Sequence, residues 1–282
     1  VEMLAARGGV PVIGVMPYLH DLGLPEEDAV AVEAQNRAQV TQEAVDIAVI
    51  ALPRIANFDD FDPLASELGV SVRYVSSAAE LGRPNAVVIP GTKSTMADLA
   101  WLRATGLADA IVSLAGDDVA VVGICGGYQM LGARVADPDR VESDADDMPG
   151  LGLFPTVTTF LREKVTAQTT ITITASGGWA RALNGTTVSG YEIHMGRTPT
   201  DRPWLRLSTG EPDGAMSDNG RVWGCYLHGL FANTALRRAW LQSLGWAGGD
   251  APSPSMDAAF DRLADVIEAN LDMRAINMMI GL

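Results

Sequence analysis

The stretch VVGICGGYQMLG, residues 121–132, places a cysteine between glycines at the end of an apolar run. Within it, Gly123–Gly127 has the form G-x-C-x-G. With serine in place of cysteine, this form marks a nucleophile elbow, a sharp strand-to-helix turn that lifts one side chain above a sheet. Glycines beside such a turn let neighbouring backbone approach closely. The sequence therefore predicts that Cys125 lies at the rim of a sheet.

This position would suit a nucleophile. Aligned peptide dipoles at a helix N-terminus favour an anion, and the thiolate is the reactive form of cysteine. The backbone N–H of Gly126 would point towards a developing oxyanion. The alternative is a small cysteine buried in a core. We interpret Cys125 as a nucleophile and leave the core alternative open at this stage.

The segments around the elbow alternate between apolar runs and helical patterns. Continuous apolar strands separated by helices are typical of a parallel sheet covered on both faces. We predict an α/β fold with a mainly parallel central sheet flanked by helices. The predicted strands are residues 45–52, 70–75, 86–89 and 119–124, and the predicted helices are residues 58–68, two short helices within 97–115, and residues 128–133.

The pattern changes after Gly150, where apolar and β-branched residues alternate in the manner of antiparallel strands. These predicted strands are residues 165–175, 188–194 and 222–228, followed by a helix over 236–244. Phe260, Leu263, Ala264, Ile267 and Leu271 then follow a helical spacing and predict a C-terminal helix.

The two ends of the chain are predicted to be separate from the main domain. Residues 9–16 are predicted to form a buried strand, and residues 18–39 a polar linker. The chain begins with Val1 and this strand-like run follows almost at once, so we expect the C-terminal part of a longer protein. We therefore divide the sequence into segments 1–38, 39–248 and 249–282.

Composition limits the function classes. The formal net charge of −15 argues against nucleic acid or an anionic membrane as the main partner. No apolar run reaches the roughly 18 residues that a membrane-spanning helix needs. The two cysteines lie far apart and do not indicate a disulfide framework. We expect a cytoplasmic protein.

The chain has three histidines that could act as the base for Cys125. His20 lies in the polar leading stretch and is the weakest candidate. His194 lies in the stretch SGYEIHMG, and His228 lies at a predicted strand end before a glycine. A histidine at a strand end suits a Cys–His pair, although either residue could instead be a hydrogen-bonded structural histidine.

Side-chain alternation along strands separates the remaining candidates. Cys225 and His228 are three residues apart and should face opposite sides, so Cys225 is predicted to pack in the core. Glu192 and His194 are two residues apart and should share a face. They could line a pocket together or form a solvated polar edge.

The stretch PGTKST, residues 90–95, resembles a phosphate-binding loop but fails the pattern G-x-x-x-x-G-K-[ST]. The residue five positions before Thr92 is Val87, where the pattern requires glycine. Gly91 lies at a predicted strand end beside the elbow. We therefore expect it to supply a second backbone N–H to an oxyanion hole.

Four segments in this order resemble the cobyric acid synthase family: GTKST at residues 91–95, GICGGYQMLG at 123–132, GYEIHMG at 190–196 and GCYLHGLF at 224–231. The leading PVIGVMPYL and LPEED also match. The resemblance implies a flavodoxin-like class I glutamine amidotransferase fold. It implies that Cys125 attacks the glutamine side-chain amide and that His228 is its base. Gly91 and Gly126 would form the oxyanion hole, and Gln129 with the Tyr191–His194 segment would surround the glutamine pocket.

Two departures from the family's wider pattern stand out. Many class I domains carry Glu or Asp two residues after the base, but this chain has Leu230 there. Glu192 is our candidate to orient the base instead. Full-length members also begin with an ATP-binding domain that carries a P-loop, and no such pattern occurs here. The resemblance therefore makes residues 1–38 the remnant of that domain.

The resemblance also implies the chemistry of the whole enzyme. ATP and Mg²⁺ would serve the synthetase domain, with no cofactor or metal expected in this chain. L-glutamine would supply ammonia for four amidations of adenosylcobyrinic acid a,c-diamide, at side chains b, d, e and g.

Alternative functions stay open at this stage. The elbow also resembles those of a lipid II isoglutaminyl synthase glutaminase subunit and of a cobyrinate a,c-diamide synthase. From other classes, the chain could be a cysteine hydrolase unrelated to glutamine, or a non-catalytic binding or regulatory domain on the same fold.

Overall fold

The computed structural model describes residues 7–8, 11–19, 45–248 and 256–281. The chain divides into two compact units. A main unit spans Glu27–Asp250, and a terminal unit combines Val1–Glu26 with Ala251–Leu282. The division into segments 1–38, 39–248 and 249–282 stays a prediction.

A six-stranded sheet forms the centre of the main unit, in the order β11-β12-β4-β3-β1-β2. All neighbouring strands run parallel except β11, which is antiparallel to β12. This confirms the predicted mainly parallel sheet. The strands are β1 (Val45–Ile50), β2 (Val70–Val75), β3 (Ala86–Ile89), β4 (Ala120–Ile124), β11 (Ala215–Met216) and β12 (Val222–Cys225).

Alternate side chains of these strands enter two different apolar clusters, one on each face of the sheet. In β1, Ile47 and Val49 belong to the first cluster, while Ala48 and Ile50 belong to the second. Every residue of β4 is buried. Burial on both faces explains why these strands appear in the sequence as continuous apolar runs.

Helices pack around the sheet of the main unit. They are α1 (Asp62–Ala65), α2 (Ala78–Leu81), α3 (Thr95–Ala104), α4 (Leu107–Gly116), α5 (Gly126–Leu131) and α6 (Thr234–Ser243), with 3₁₀ helices at Phe58–Phe61, Trp179–Leu183 and Leu230–Ala232.

The predicted break near Gly106 is confirmed, because this residue lies between α3 and α4 with φ +74°. The predicted single helix over 58–68 is instead a 3₁₀ turn followed by α1. Pro63, which lacks an N–H, lies in the first turn of α1.

A second sheet confirms the predicted antiparallel extension. Its order is β10-β9-β7-β5-β6, and β8 pairs with the other edge of β7. The strands are β5 (Arg134–Ala136), β6 (Asp147–Pro149), β7 (Val157–Ile173), β8 (Thr187–Arg197), β9 (Leu205–Leu207) and β10 (Pro212–Asp213). Only β5 and β7 are parallel within it.

The terminal unit corrects the prediction for residues 9–16. Residues 11–16 do not form a strand, and Gly14 makes only an isolated bridge to Leu271. Val15 is 58% exposed, so the apolar run is not a buried strand. The predicted linker, residues 18–39, lies outside the described residues except for positions 18 and 19.

The predicted C-terminal helix is present in the terminal unit as α7 (Met256–Asn270). A second helix, α8 (Met273–Ile280), follows it. The two are separated at Asp272, whose carboxylate accepts hydrogen bonds from the first turn of α8 as an N-cap. Phe260 is 52% exposed, so the predicted apolar face is only partly covered.

In the part of the chain that the structure describes, no single helix is long and apolar enough to cross a membrane. Only α3 and α4 taken together have that length and composition, and they are bent by 83° at the break between them.

The elbow predicted from the opening stretch is present between β4 and α5. Cys125 is the N-cap of α5 and has φ +52° and ψ −110°, a conformation that a residue with a side chain rarely adopts. Neighbouring backbone packs directly on the turn. A Cβ on Gly127 would lie 1.9 Å from the carbonyl oxygen of Ile89, and one on Gly123 would lie 2.6 Å from the nitrogen of Tyr128. Glycine at both positions is therefore a steric requirement.

We predict that Gly127→Ala lowers the free energy of unfolding by about 1–3 kcal/mol, the usual cost of overpacking a filled site. The added Cβ would collide with backbone, which cannot rotate away. Gly116→Ala is the matched control, because nothing lies within 4 Å of a Cβ at that exposed helix end. Denaturant titration of both variants measures the difference. Equal stabilities would contradict the close packing at the elbow.

Candidate active site

Cys125 lies where three segments of the main unit meet. Its N–H donates to the carbonyl of Cys225 over 2.8 Å, so the turn is held against the end of β12. Its Sγ lies 3.5 Å from the carbonyl oxygen of Ile193 in β8. The residue is 7% exposed. Cys125 is therefore buried apart from a small exposed remainder, and it belongs to the first apolar cluster.

His228 follows β12 and its ring is almost fully buried. Nδ1 lies 2.7 Å from Oδ2 of Asp60. The ring of Tyr191 stacks on the imidazole, with centroids 5.1 Å apart and planes at 16°. Two backbone hydrogen bonds also join Tyr191 and His228. A Cβ on Gly91 would lie 2.9 Å from Cε1 of the ring, so the absence of a side chain at Gly91 gives the imidazole its space.

The electrostatic surroundings favour a protonated His228. Burial lowers its pKa, but the hydrogen bond that Nδ1 donates to Asp60, the interaction with Cys125 and the negative charge of Asp60 outweigh burial and raise the pKa to about 10. Nε2 is buried and has no well-formed hydrogen bond with any described residue. The nearby thiol of Cys125 thus interacts with the imidazole electrostatically and is not held by a well-formed hydrogen bond. Nε2 remains available to move a proton.

Cys225, the rival nucleophile, packs in the core as predicted. It is 0% exposed and belongs to the first apolar cluster. Burial, followed by the charge of Asp213, raises the pKa of the Cys225 thiol well above its ordinary value. The predicted strand over 222–228 in fact ends at Cys225. The N–H of Tyr226 donates to the carboxylate of Asp213 and not to a neighbouring strand, which ends the ladder.

The loop after β3 reaches the elbow, as the oxyanion-hole prediction requires. A Cβ on Gly126 would lie 2.7 Å from Cγ2 and 3.3 Å from the nitrogen of Thr92. The first-turn N–H of Gly126 has no acceptor within α5 itself. The carbonyl of Gly91 accepts a hydrogen bond from the N–H of Ala56. The role of Gly91 and Gly126 as oxyanion donors stays a prediction.

A buried carboxylate that the sequence analysis missed fixes this loop. Asp98 is 0% exposed and accepts hydrogen bonds from Thr92 Oγ1 at 2.5 Å and from the backbone and guanidinium of Arg54. It therefore connects the loop after β3 to the segment after β1. The sequence signal was a single acidic residue in the mostly apolar helix Thr95–Ala104.

Gln129 lies beneath the elbow in a buried hydrogen-bond network. Its Oε1 accepts from Thr95 Oγ1 at 2.8 Å, and its Nε2 donates to the hydroxyl of Tyr226 at 3.4 Å. The Tyr226 hydroxyl is also bonded to Thr198 at 2.7 Å. Gln129 is 2% exposed. Its predicted place around a glutamine pocket stays a prediction.

Glu192 and His194 share a face of β8, as predicted, and contact each other. Glu192 Oε1 lies 3.4 Å from His194 Nε2, and His194 Nδ1 lies 2.9 Å from the carbonyl of Gly196. The His194 ring stacks on Tyr226 with centroids 3.9 Å apart. Our candidate to orient His228 was Glu192, and this is wrong. The acid at Nδ1 of His228 is Asp60, and Glu192 faces a different histidine.

Asp213 is a third ionisable residue close to Glu192 and His194. Burial raises its pKa to about 7, with a further contribution from the charge of Glu192. Its carboxylate accepts the N–H groups of Gly214 and Tyr226, so it holds the chain between β12 and His228. Within the described ranges, no group of three or more His, Cys, Asp or Glu residues could hold a metal ion.

A mainly parallel sheet flanked by helices, with a strand-to-helix elbow at its edge, is the fold of class I glutamine amidotransferases. Solved structures agree on the fold. A chain of PurLQS from Thermotoga maritima matches with a TM-score of 0.54 and 17% identity over 71% of this chain and 97% of its own. A structure described as a glutamine amidotransferase matches with a TM-score of 0.51 and 18% identity over 71% of this chain and 99% of its own.

The chain belongs to the CobB/CobQ-like glutamine amidotransferase domain family, whose model matches residues 46–236. Cobyric acid synthase of Roseiflexus castenholzii is 48% identical over 99% of this chain and 56% of the relative. Cobyric acid synthase of Herpetosiphon aurantiacus is 46% identical over 100% of this chain and 56% of the relative. The chain thus spans little more than half the length of these relatives.

We predict that an alkylating reagent modifies Cys125 in the native protein while Cys225 stays unmodified. Cys225 is sealed in the core and burial keeps its thiol protonated, and the thiolate is the form that reacts. Peptide mass spectrometry after brief iodoacetamide treatment measures the two sites, with Cys125→Ala as the control that should take up no label. Comparable labelling of Cys225 in folded protein would contradict the assignment.

We predict that the His228 ring stays protonated through neutral pH and loses its proton only near pH 10. Its pKa in the folded state is raised above the ordinary 6.5, so its contribution to stability is complete below about pH 6.5 and is lost as pH rises towards 10. NMR titration of the ring nitrogens, assigned with His228→Gln, measures this pKa. A neutral ring at pH 8 would contradict the charge arrangement described above.

Proposed function

We propose that this chain is the glutaminase part of a cobyric acid synthase and releases ammonia from L-glutamine. The observation that carries the proposal is Cys125, held in a strained elbow beside His228. Strained backbone of this kind persists only where the surrounding structure enforces it, and such sites are commonly functional. Membership of an amidotransferase domain family supplies the substrate class.

In the proposed reaction, His228 holds the proton of the Cys125 thiol at Nε2 before substrate is attacked, in keeping with its raised pKa. The thiolate Sγ of Cys125 then attacks the carboxamide carbon of glutamine. The carbonyl oxygen becomes an oxyanion. When this intermediate collapses, the C–N bond breaks and His228 returns the proton to the departing nitrogen, which leaves as ammonia. A γ-glutamyl thioester remains on Cys125. Water then attacks the thioester and gives a proton to His228. Glutamate is released, and the Cys125 thiolate and the protonated His228 are restored.

The surrounding residues have supporting roles in this proposal. The backbone N–H groups of Gly126 and Gly91 would stabilise the oxyanion, because donors fixed in advance lose no reorganisation energy when charge develops. Gln129, Tyr191, Glu192 and His194 would shape the glutamine pocket. Contacts with neighbouring residues would support this wall, since Tyr191 is bonded to His228 and Gln129 to Tyr226.

The ammonia would serve amidations carried out by the whole protein. The relatives that match this chain are named cobyric acid synthases and are nearly twice its length. We propose that the remainder of such a protein uses ATP and Mg²⁺ to activate carboxylates of adenosylcobyrinic acid a,c-diamide. Ammonia from this chain would amidate side chains b, d, e and g.

We predict that the protein releases glutamate and ammonia from glutamine, and that Cys125→Ala and His228→Ala each lower kcat by about 10³-fold or more. Cys225→Ala is the matched control and should stay within about threefold of wild type, because that thiol lies in the core. A coupled glutamate assay measures the rates.

Two results would contradict the proposed function. One is wild-type protein that neither hydrolyses glutamine nor is labelled at Cys125 by a diazoketone analogue of glutamine. The other is a Cys125→Ala or His228→Ala variant that hydrolyses glutamine as fast as wild type. Either would favour a non-catalytic domain or a different nucleophile.

A further inference from the structure

We propose that Asp60 is the positioning residue that orients His228, so that an acid from the segment after β1 completes the site. This inference rests on the proposed glutaminase function. The position two residues after the base, where an acid would be expected, holds Leu230, which is 1% exposed and lies in the first apolar cluster. The acid is instead supplied from 168 residues earlier in the chain.

Both oxygens of Asp60 contact the segment that carries the base. Oδ2 lies 2.7 Å from Nδ1 of His228, and Oδ1 accepts the N–H of Gly229 at 2.7 Å. This arrangement fixes the ring and the backbone that follows it. A carboxylate accepts hydrogen bonds only, so Nδ1 must carry a proton. Nε2 is then the nitrogen left for exchange with the thiol.

Asp60 is itself held firmly. It lies in the 3₁₀ helix Phe58–Phe61, and its side chain is only 4% exposed. The neighbouring Phe61 packs on Phe231, with ring centroids 6.3 Å apart, and Phe231 belongs to the 3₁₀ helix Leu230–Ala232 in the segment that follows His228. Asp60 and the loop it orients are therefore joined by apolar packing as well as by hydrogen bonds.

The same segment also reaches the face of the imidazole. Asn57, immediately before the 3₁₀ helix, has a left-handed backbone with φ +55°. Its side-chain amide donates to the hydroxyl of Tyr191 at 2.6 Å. Because Tyr191 stacks on His228, residues 57–60 constrain the ring at its edge and, through Tyr191, at its face.

Asp60 is the main source of negative charge on the Nδ1 side of His228. Cys125 lies on the Nε2 side, and the Tyr191 ring covers one face. Asp59 lies next to Asp60 but is exposed and makes no hydrogen bond to the ring within the described residues. Asp60 contacts neither the thiol nor the substrate in the proposed reaction, so its effect passes through the imidazole.

The test compares Asp60→Asn with Asp59→Asn. Each substitution replaces one carboxylate with a neutral amide, and the two positions are adjacent. Asparagine keeps the shape of Asp60 but replaces one acceptor oxygen with an NH₂ group, so it cannot accept both N–H groups. We predict that Asp60→Asn lowers kcat for glutamine hydrolysis by about 10²–10⁴-fold, as loss of the orienting acid does in a serine-protease triad. KM should change little.

Two further readouts separate positioning from a structural role. In Asp60→Asn, the pKa of His228 should fall, which moves the alkaline limb of the kcat profile to lower pH. The low-field NMR resonance of the Nδ1 proton should also disappear. Asp59→Asn should keep that resonance and stay within about threefold of the wild-type kcat.

Retention of both kcat and the Nδ1 resonance in folded Asp60→Asn, with Cys125→Ala inactive, would overturn the inference while leaving the proposed function intact. If wild type has no glutaminase activity, the proposed function fails, and the Nδ1 resonance alone decides whether Asp60 orients the ring. If Asp60→Asn does not fold, titration of wild type decides. A His228 that is neutral at pH 8 without a low-field Nδ1 proton overturns the inference.

Discussion

The backbone of Cys125 is the constraint on which the site depends. A residue with a side chain in this left-handed conformation costs about 1–3 kcal/mol, and the surrounding fold must supply that energy. Gly127 packs on the carbonyl of Ile89, and the N–H of Cys125 is bonded to Cys225. The turn is therefore clamped between β3 and β12. The loop after β3 and the segment after β12 bring Thr92 and His228 to the same place, because the carboxyl ends of parallel strands share one edge of a sheet.

Much of the fold could be predicted because the central strands are buried on both faces. A strand of this kind is a continuous apolar run, and Ala86–Ile89 and Val70–Val75 match their predicted bounds. The same rule failed at residues 9–16. Of these, the described residues 11–16 make only one bridge, between Gly14 and Leu271, and Val15 is exposed. Strands of two or three residues, such as Ala215–Met216, are too short to show an alternating pattern of apolar and polar residues. Such strands are recognised only by their pairing with neighbouring strands in the folded chain.

The candidate site could be predicted in part. Residues marked by a local sequence pattern could be recognised, whereas a residue whose partner is distant in the sequence could not. Cys125 and His228 are each marked by a local pattern of glycines and strand ends. Asp60 has no such pattern, since its partner is 168 residues away and the contact exists only after folding. Glu192 was chosen because it shares a face with His194, but alternation along a strand does not say which other segment that face meets. The structure shows that it meets Tyr226 and Asp213, and that a different acid reaches the base.

The proposed function depends on a covalent bond between Cys125 and the γ-carbonyl of glutamine. The most direct measurement is mass spectrometry of protein quenched in acid during glutamine turnover, followed by mapping of the modified peptide. The account predicts a γ-glutamyl thioester on the peptide that contains Cys125, and none on the peptide that contains Cys225. Turnover without any adduct on Cys125, or an adduct on another residue, would contradict it.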